Sequence, residues 1–538
     1  MPHDQPAIIG AAEVAPGRNV PYTSTELHVR AAVAALADAG VVPDEVDGLV
    51  CAGPMTNEGS IFLSEDLMDY LGLHNLKLQM TCQLGGGTHL AMTRMASNVI
   101  ARGEAETVLV VSAGKFPPIR DGGRELMALV CDHAFEMPYG PSVPALYGLI
   151  AQAWMHETGQ GKADIAEVTA SQDRWAALNP AAIAHRSQRL TVEDVLASRP
   201  IAGPFHFYHC SIPCEGGGAL VLGSARRARA GKHRPVHLLG FGEGHTHGFL
   251  TSLARPGRTG AARSGPMAFE RSGRAPADID IALLYDAFAS NPAMILEEAG
   301  FVKPGGAGDF YRDGRADPGR ADPGGDLPVN TDGGLIRFGH TGTSSGISQI
   351  LEGYWQLSRS RRGPSGLRGG HRVRAQLRLD AVQSRQHGDG GSVMTAASSS
   401  LDGLHDPEAL PPLTDVNRPY FAAAARGVLV FQRCANGHPF LYPRLVCPVC
   451  HDGELAWETA AGTGEIVSFA PVYRPPWDSF PRSEPYVVVL VRLDEGPQLL
   501  ASLEGVAPDE VAIGARVRAV FERVNEDLGL VRFRPAAS

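Results

Sequence analysis

Cysteine is scarce in this chain. There are eight in 538 residues, three of them gathered between Cys434 and Cys450, too few for a disulfide framework. Basic residues are in deficit as well: 48 Lys and Arg face 58 Asp and Glu, a formal charge of −10. That balance argues against a general nucleic-acid binder, which needs a basic surface to neutralise phosphates. No apolar run approaches the roughly 20 residues that cross a bilayer, and the start, Met1-Pro-His-Asp-Gln-Pro6, lacks a charged then apolar leader. These absences predict a cytoplasmic protein with reduced thiols, no membrane span and no nucleic-acid partner.

What remains is the composition of a soluble globular protein, 44% hydrophobic and 20% charged, long enough for several domains. Aliphatic runs bounded by turn residues predict strands at Ala7–Gly10, Asp47–Cys51, Thr107–Ser112 and Ala219–Gly223. Amphipathic patterns between them predict helices at 25–40, 147–157 and 163–179. A second set follows, with strands at 236–240, 279–284 and 392–395 and helices at 291–299 and 348–357. Strands alternating with helices imply a layered α/β body. Six arginines between Arg359 and Arg374 read either as a solvated loop or as a clamp for cofactor phosphates. Arg315–Gly319, copied as Arg320–Gly324, reads as a surface loop.

The C-terminal part differs. Cys434-Ala-Asn-Gly-His438 and Cys447-Pro-Val-Cys450 place three thiols and an imidazole at a spacing that can close a tetrahedron around structural Zn²⁺. Five short strands then recur between 464 and 533 with Gly and Pro between them, the pattern of a small OB-type barrel.

Three fragments of the body carry chemistry. Cys82 precedes Gly85-Gly86-Gly87 and a helical pattern. A thiol at such a helix entrance would feel the positive end of the dipole, and the glycines would leave amides free to hold an oxyanion. Tyr285-Asp-Ala-Phe288 ends a core strand, and His340 lies in the glycine-rich loop Gly333–Gly342. Singly, each residue reads equally as packing.

Together their order resembles the thiolase superfamily, in the branch of sterol carrier protein-X thiolases and lipid-transfer proteins. The resemblance spans about residues 5 to 397 and rests on 46–49, the Cys82 segment, 179–181, 191–196, 285–288, 328–334, Gly339-His340 and 387–391. The C-terminal part resembles the zinc-ribbon/OB-fold proteins that accompany such enzymes in acyl-CoA metabolism. The resemblance implies an αβαβα body of two similar halves, with domains at 1–230 and 231–397, a linker at 398–412, a ribbon with a leading helix at 413–456 and a barrel at 457–538. It implies an acyl-CoA substrate, coenzyme A as acyl carrier, and a homodimer. Cys82 stands at the acyl-accepting nucleophile and His340 at the Gly-His position, while Tyr285 stands where related aldolases use a tyrosine. A second catalytic cysteine is not apparent, and His340 occupies the place of a second tyrosine. The leading expectation is a thiolase-like acyltransferase working through a Cys82 acyl-enzyme. The alternatives are a retro-aldolase cleaving a β-hydroxyacyl-CoA with Tyr285 as base, and a non-catalytic carrier of CoA or lipid. The expected zinc ligands are Cys434, His438, Cys447 and Cys450, with Trp457, Tyr473 and Trp477 as candidate liners of a CoA-facing barrel surface.

Overall fold

The computed structural model describes residues 5–53, 61–116, 127, 130–319, 327–358, 410–476, 480 and 484–536. Its central sheet has the order β3-β2-β4-β7-β1-β8. The strands are β1 (Ala7–Gly17), β2 (Gly48–Ala52), β3 (Leu78–Cys82), β4 (Thr107–Gly114), β7 (Glu215–Gly223) and β8 (Val236–His237). β2 runs parallel to β3 and β4, and the remaining neighbours pair antiparallel. Alternation along the strands feeds two separate cores. Leu49, Cys51, Leu109 and Val111 face α1 (Ser24–Ala39) and α2 (Leu63–Leu71). Val50, Val108 and Val110 face α3 (Thr88–Ala101) and the helix Gly346–Ser358. The sheet is therefore buried on both faces, and a helix from late in the chain completes the covering of the second one.

The helices begin and end where the capping chemistry allows. Thr23 and Glu26 form a capping box at the start of α1, and Gly40 closes it in the left-handed region at φ 68°. Gly10 admits α1 closely, since a Cβ there would lie 2.5 Å from that of Ala39.

Two expected strands differ. Residues 236–240 do not open a second sheet; Val236 and His237 pair with Ile8 and Ala7 and extend the first. Beyond them Gly240 packs against the backbone of the helix Ala261–Ser272, which draws the chain off the sheet. Residues 279–284 form a single bridge, Ala282 to Val329. The Asn330 side chain takes over the pairing there, accepting from Leu284 N at 2.6 Å and donating to Leu284 O at 2.9 Å. The strand expected at 392–395, the arginine run, the 387–391 motif and the second copy of the 315–319 repeat lie outside the described residues.

In the C-terminal part, β9 (Val430–Cys434), β10 (Pro439–Phe440) and β11 (Leu455–Thr459) form a three-stranded ribbon behind a helix at Arg418–Ala425. β12 (Thr463–Val472), β13 (Tyr486–Leu493), β14 (Gln498–Leu503), β15 (Arg516–Arg523) and β16 (Gly529–Pro535) follow. Pairing of β12 with both β13 and β15, and of β16 with β14 and β15, closes a five-stranded barrel. The barrel is joined to the body. β5 (Pro200–Ala202) and β6 (Phe205–His206) continue its sheet through Ala202 and Val472. Phe135 of the body stacks on Tyr442 and Phe421, with centroids 4.3 and 5.2 Å away.

Candidate active site and metal centre

Tyr285 and His340 are brought together by a single connecting segment, residues 209–214. Ala289 N donates to His209 O and Ser211 N to Ala287 O, which fixes the Tyr285 loop. His340 N donates to Ile212 O at 2.7 Å and Cys214 N to His340 O at 3.0 Å, which fixes the histidine. Gly339 permits that pairing at φ 142°, where a side chain would meet the Cys214 sulfur. Asp286 ties the two loops directly. Its carboxylate accepts from Leu335 N at 2.9 Å and Ile336 N at 3.3 Å, in the short helix Gly334–Arg337 that leads to His340. Burial pushes the Asp286 carboxyl up to about 7 in spite of those bonds.

The result is a hydrogen-bonded pair, Tyr285 Oη to His340 Nε2 at 3.3 Å. Gly342 N donates to His340 Nδ1 at 3.2 Å, so the neutral imidazole carries its proton on Nε2 and donates to the phenol. Burial pushes the imidazole down to about 4 and holds the Tyr285 phenol well above its usual range. Both groups are neutral near pH 7. Phe116 meets the imidazole edge-on at 5.7 Å. The floor is the glycine turn before α3: a Cβ on Gly86 would lie 2.9 Å from Cε2 of Tyr285. Two neutral proton donors above a side-chain-free loop can steady a negative oxygen, as an enolate requires.

Cys82 comes from the central sheet. It is the last residue of β3, paired with Ala52, and its side chain packs partly buried on the α3 face. Among the described residues no hydrogen bond joins it to Tyr285 or His340. α3 begins six residues later, at Thr88, after a separate turn at Gly85–Gly87. Burial and the Glu243 carboxylate both push the thiol above its ordinary range. The motif Tyr285–Phe288 contains Asp286, but only the structure shows that its carboxylate ties the two loops together.

The ribbon assembles the four expected ligands. Sγ of Cys434 lies 3.3 Å from Nδ1 of His438 and 3.7 Å from Sγ of Cys450, and Sγ of Cys447 lies 3.7 Å from the same Nδ1. All four ligand atoms lie within 4.8 Å of one another. Ligands about 2.0–2.3 Å from zinc stand about 3.3–3.8 Å apart along tetrahedral edges, so the tetrad fits the ion. His438 replaces a second knuckle cysteine for a backbone reason: the β9–β10 turn needs Gly437 at φ 85°, which moves the ligand one place on. Backbone amides of His438 and Val449 point at the sulfurs of Cys434 and Cys447, both at 3.4 Å, as suits thiolates. Of the aromatic candidates, Trp457 packs partly buried against the barrel core, Tyr473 is exposed, and Trp477 lies outside the described residues.

A layered α/β body fused to a ribbon and a barrel is the architecture of the thiolase-like class, and the comparisons agree. Residues 242–399 match the family "Thiolase C-terminal domain-like", residues 421–456 the "rubredoxin-like zinc ribbon domain" of ChsH2, and residues 457–522 its "C-terminal OB-fold domain". The chain is 32% identical over 356 residues to the steroid side-chain-cleaving aldolase of Thermomonospora curvata, covering 64% of this chain and 88% of that protein. It is 32% identical over 366 residues to the 17-hydroxy-3-oxo-4-pregnene-20-carboxyl-CoA lyase of Mycobacterium tuberculosis, covering 66% and 91%. The solved structure titled Ltp2-ChsH2(DUF35) aldolase aligns at TM-score 0.58 and 30% identity over 68% of this chain and 92% of its own. The protein belongs to the thiolase superfamily, in the sterol carrier protein-X thiolase and lipid-transfer branch, with a zinc ribbon and an OB-fold domain fused to it. Among the described residues no helix is long and apolar enough to cross a membrane.

Proposed function

We propose that this protein is a carbon–carbon lyase that cleaves a β-hydroxyacyl-CoA by a retro-aldol reaction. The observation that carries the reading is the buried Tyr285–His340 pair, whose burial keeps both groups neutral near pH 7. In the reaction the β-hydroxyl loses its proton, the Cα–Cβ bond breaks, and its electron pair moves into the thioester as an enolate. A carbonyl compound leaves, and Cα takes up a proton to give the shortened acyl-CoA. Overall one proton passes from oxygen to carbon, so a phenol that relays it ends as it began. Tyr285 is placed for that relay. The Nε2–H of His340 steadies negative charge on the phenol or the enolate oxygen. The identity to an aldolase and a CoA lyase supports this reading over the Cys82 acyl-enzyme.

The test is a panel of β-hydroxyacyl- and β-ketoacyl-CoAs given to wild type, Tyr285→Phe and Cys82→Ala. Aldehyde or ketone release that survives Cys82→Ala and is lost in Tyr285→Phe is expected. An acylated Cys82 peptide in the mass spectrum, with turnover lost in Cys82→Ala, would establish the thiolase-like transferase instead. Ligand binding with no product would leave a carrier.

Zinc, in this reading, is structural and held by Cys434, His438, Cys447 and Cys450, because four protein ligands leave no position for substrate. Domain boundaries at 231, 398, 413 and 457 are part of this proposal, with β11 (Leu455–Thr459) crossing the last of them. A homodimer through the body is supported by the open edge of β3, which ends the sheet; sedimentation of the full chain tests it.

A further inference from the structure

His340 is delivered by a helix that cannot support itself. The helix Gly334–Arg337 is a single turn, and one turn fixes several backbone angles for very few hydrogen bonds. Two buried carboxylates hold it instead. At its start Asp286, the neighbour of Tyr285, accepts from Leu335 N and Ile336 N. At its end Arg337 donates to Asp173 on the helix Lys162–Ala176, where Oδ1 lies 2.7 Å from Nε and 2.6 Å from Nη2. Asp173 is 1% and Arg337 5% exposed, so water screens this pair little. Two glycines let the turn nest between its holders. A Cβ on Gly333, at φ 107°, would lie 2.7 Å from that of Ala176, and one on Gly334, at φ 61°, would run into Asp286 Oδ2. Asp173 is fixed in its turn: Oδ2 accepts from Leu190 N at 3.1 Å and lies 3.1 Å from Arg189 Nη1. Just before these residues, Ile183 N and Ala184 N donate to Phe338 O and Arg337 O at 3.0 and 3.1 Å. Asn179 extends the clasp, donating from Nδ2 to Asp332 O at 3.0 Å.

We propose that Asp173 and Arg337 are positioning residues, whose ion pair sets the end of the one-turn helix and with it the distance from His340 to Tyr285. This rests on the lyase reading above. The two carboxylates divide the task. Asp286 couples the start of the turn to the tyrosine loop, and Asp173 couples its end to the helix Lys162–Ala176. His340 follows three places after Arg337, and Ile212 links the two. Ile212 N donates to Leu335 O at 3.2 Å, and Ile212 O accepts from His340 N, so the bridge that fixes the histidine takes its register from the turn. A guanidinium suits this role because its planar fork fixes direction, where an ammonium supplies only charge.

The test is Arg337→Lys in the full chain, which keeps the buried charge and loses the fork. Turnover of a β-hydroxyacyl-CoA is measured beside the imidazole N–H resonance of His340 in ¹⁵N-histidine-labelled protein, assigned by its loss in His340→Asn. The expected result is a fall in kcat on the order of ten-fold with KM unchanged, and an upfield move of the resonance as the bond to Tyr285 lengthens. A pair that served stability alone would lower the melting temperature and leave both readings in place. That outcome overturns the proposal, as does an unmoved resonance in a folded variant at any turnover. If Arg337→Lys folds poorly, Asp173→Glu, which keeps the charge and displaces the acceptor by one methylene, is read in the same way. Full turnover in Tyr285→Phe would remove the lyase reading, while the His340 resonance would still decide the positioning.

Discussion

Gly86→Ala probes the proposed centre without touching a polar group. A Cβ at this position would lie 2.9 Å from Cε2 and 3.0 Å from Cζ of Tyr285. Ordinary contact begins near 3.4 Å, so the ring must retreat by about 0.5 Å. Tyr285 already sits 3.3 Å from His340 Nε2, and His340 cannot follow, because its backbone is bonded on both sides to residues 212 and 214. A retreat of that size along the bond takes it past hydrogen-bonding range. Overpacking of this kind costs about 1–3 kcal/mol, against which the stiffer alanine returns about 0.4–1 kcal/mol through the unfolded chain. The net loss of stability is therefore small, about 0–2.6 kcal/mol by difference. The effect on the reaction is larger, since sub-ångström misplacement of a reacting group costs on the order of 10–100-fold. Turnover of a β-hydroxyacyl-CoA and the melting temperature should be measured on the same preparation. A folded Gly86→Ala enzyme with wild-type turnover would mean that the phenol is not where the chemistry happens.

Other outcomes follow from the same geometry. His340 should remain neutral with its proton on Nε2 until the pH falls towards about 4, as ¹⁵N-resolved titration would show; an imidazolium at pH 6 would contradict it. Because the unfolded chain binds that proton near pH 6.5 and the folded chain does not, His340 contributes stability at neutral pH that is lost as pH falls from about 6.5 to about 4. His438→Ala should release zinc to a chromogenic chelator and lower the melting temperature, yet reduce turnover far less than Tyr285→Phe; turnover tracking zinc occupancy in an otherwise folded protein would make the metal catalytic. Phe135→Ala, which empties the stack between Tyr442 and Phe421, should cost about 3–5 kcal/mol, read by chemical denaturation, and a value under about 1 kcal/mol would mean the barrel is only loosely seated.

Much of the fold was legible from hydrophobic pattern, because the central strands are buried on both faces and leave unbroken aliphatic runs such as Thr107–Ser112. The metal tetrad was legible because its ligands are close in sequence. The second-half strands were read less well. Ile279–Leu284 has a strand's composition, yet among the described residues its pairing is completed by the side chain of Asn330, which no period reveals. The site was half legible. Tyr285 and His340 came from motif order, but only tertiary packing through residues 209–214 shows that they meet. At Cys82 the glycines suggest a helix entrance at once, whereas the chain first makes a separate turn at Gly85–Gly87.

The electrostatics of the pair separate the candidate chemistries further. An acyl-enzyme mechanism needs a thiolate, so it needs positive charge or a proton acceptor beside the sulfur. Here burial and the carboxylate of Glu243 both oppose ionisation of Cys82. His340 could accept a proton only through Nδ1, which is already occupied by Gly342 N. A lyase asks for something else: donors that stay neutral at working pH and meet a charge that exists only while the bond is breaking. Burial that raises a phenol and lowers an imidazole prepares those two donors, and the same burial disables a thiol. Desolvation therefore favours the tyrosine route and disfavours the cysteine route together. Substituting Glu243→Gln separates the two: it relieves the thiol and leaves the Tyr285–His340 bond intact, so a rise in Cys82 alkylation with unchanged cleavage is expected. A parallel rise in both would put the sulfur back into the reaction.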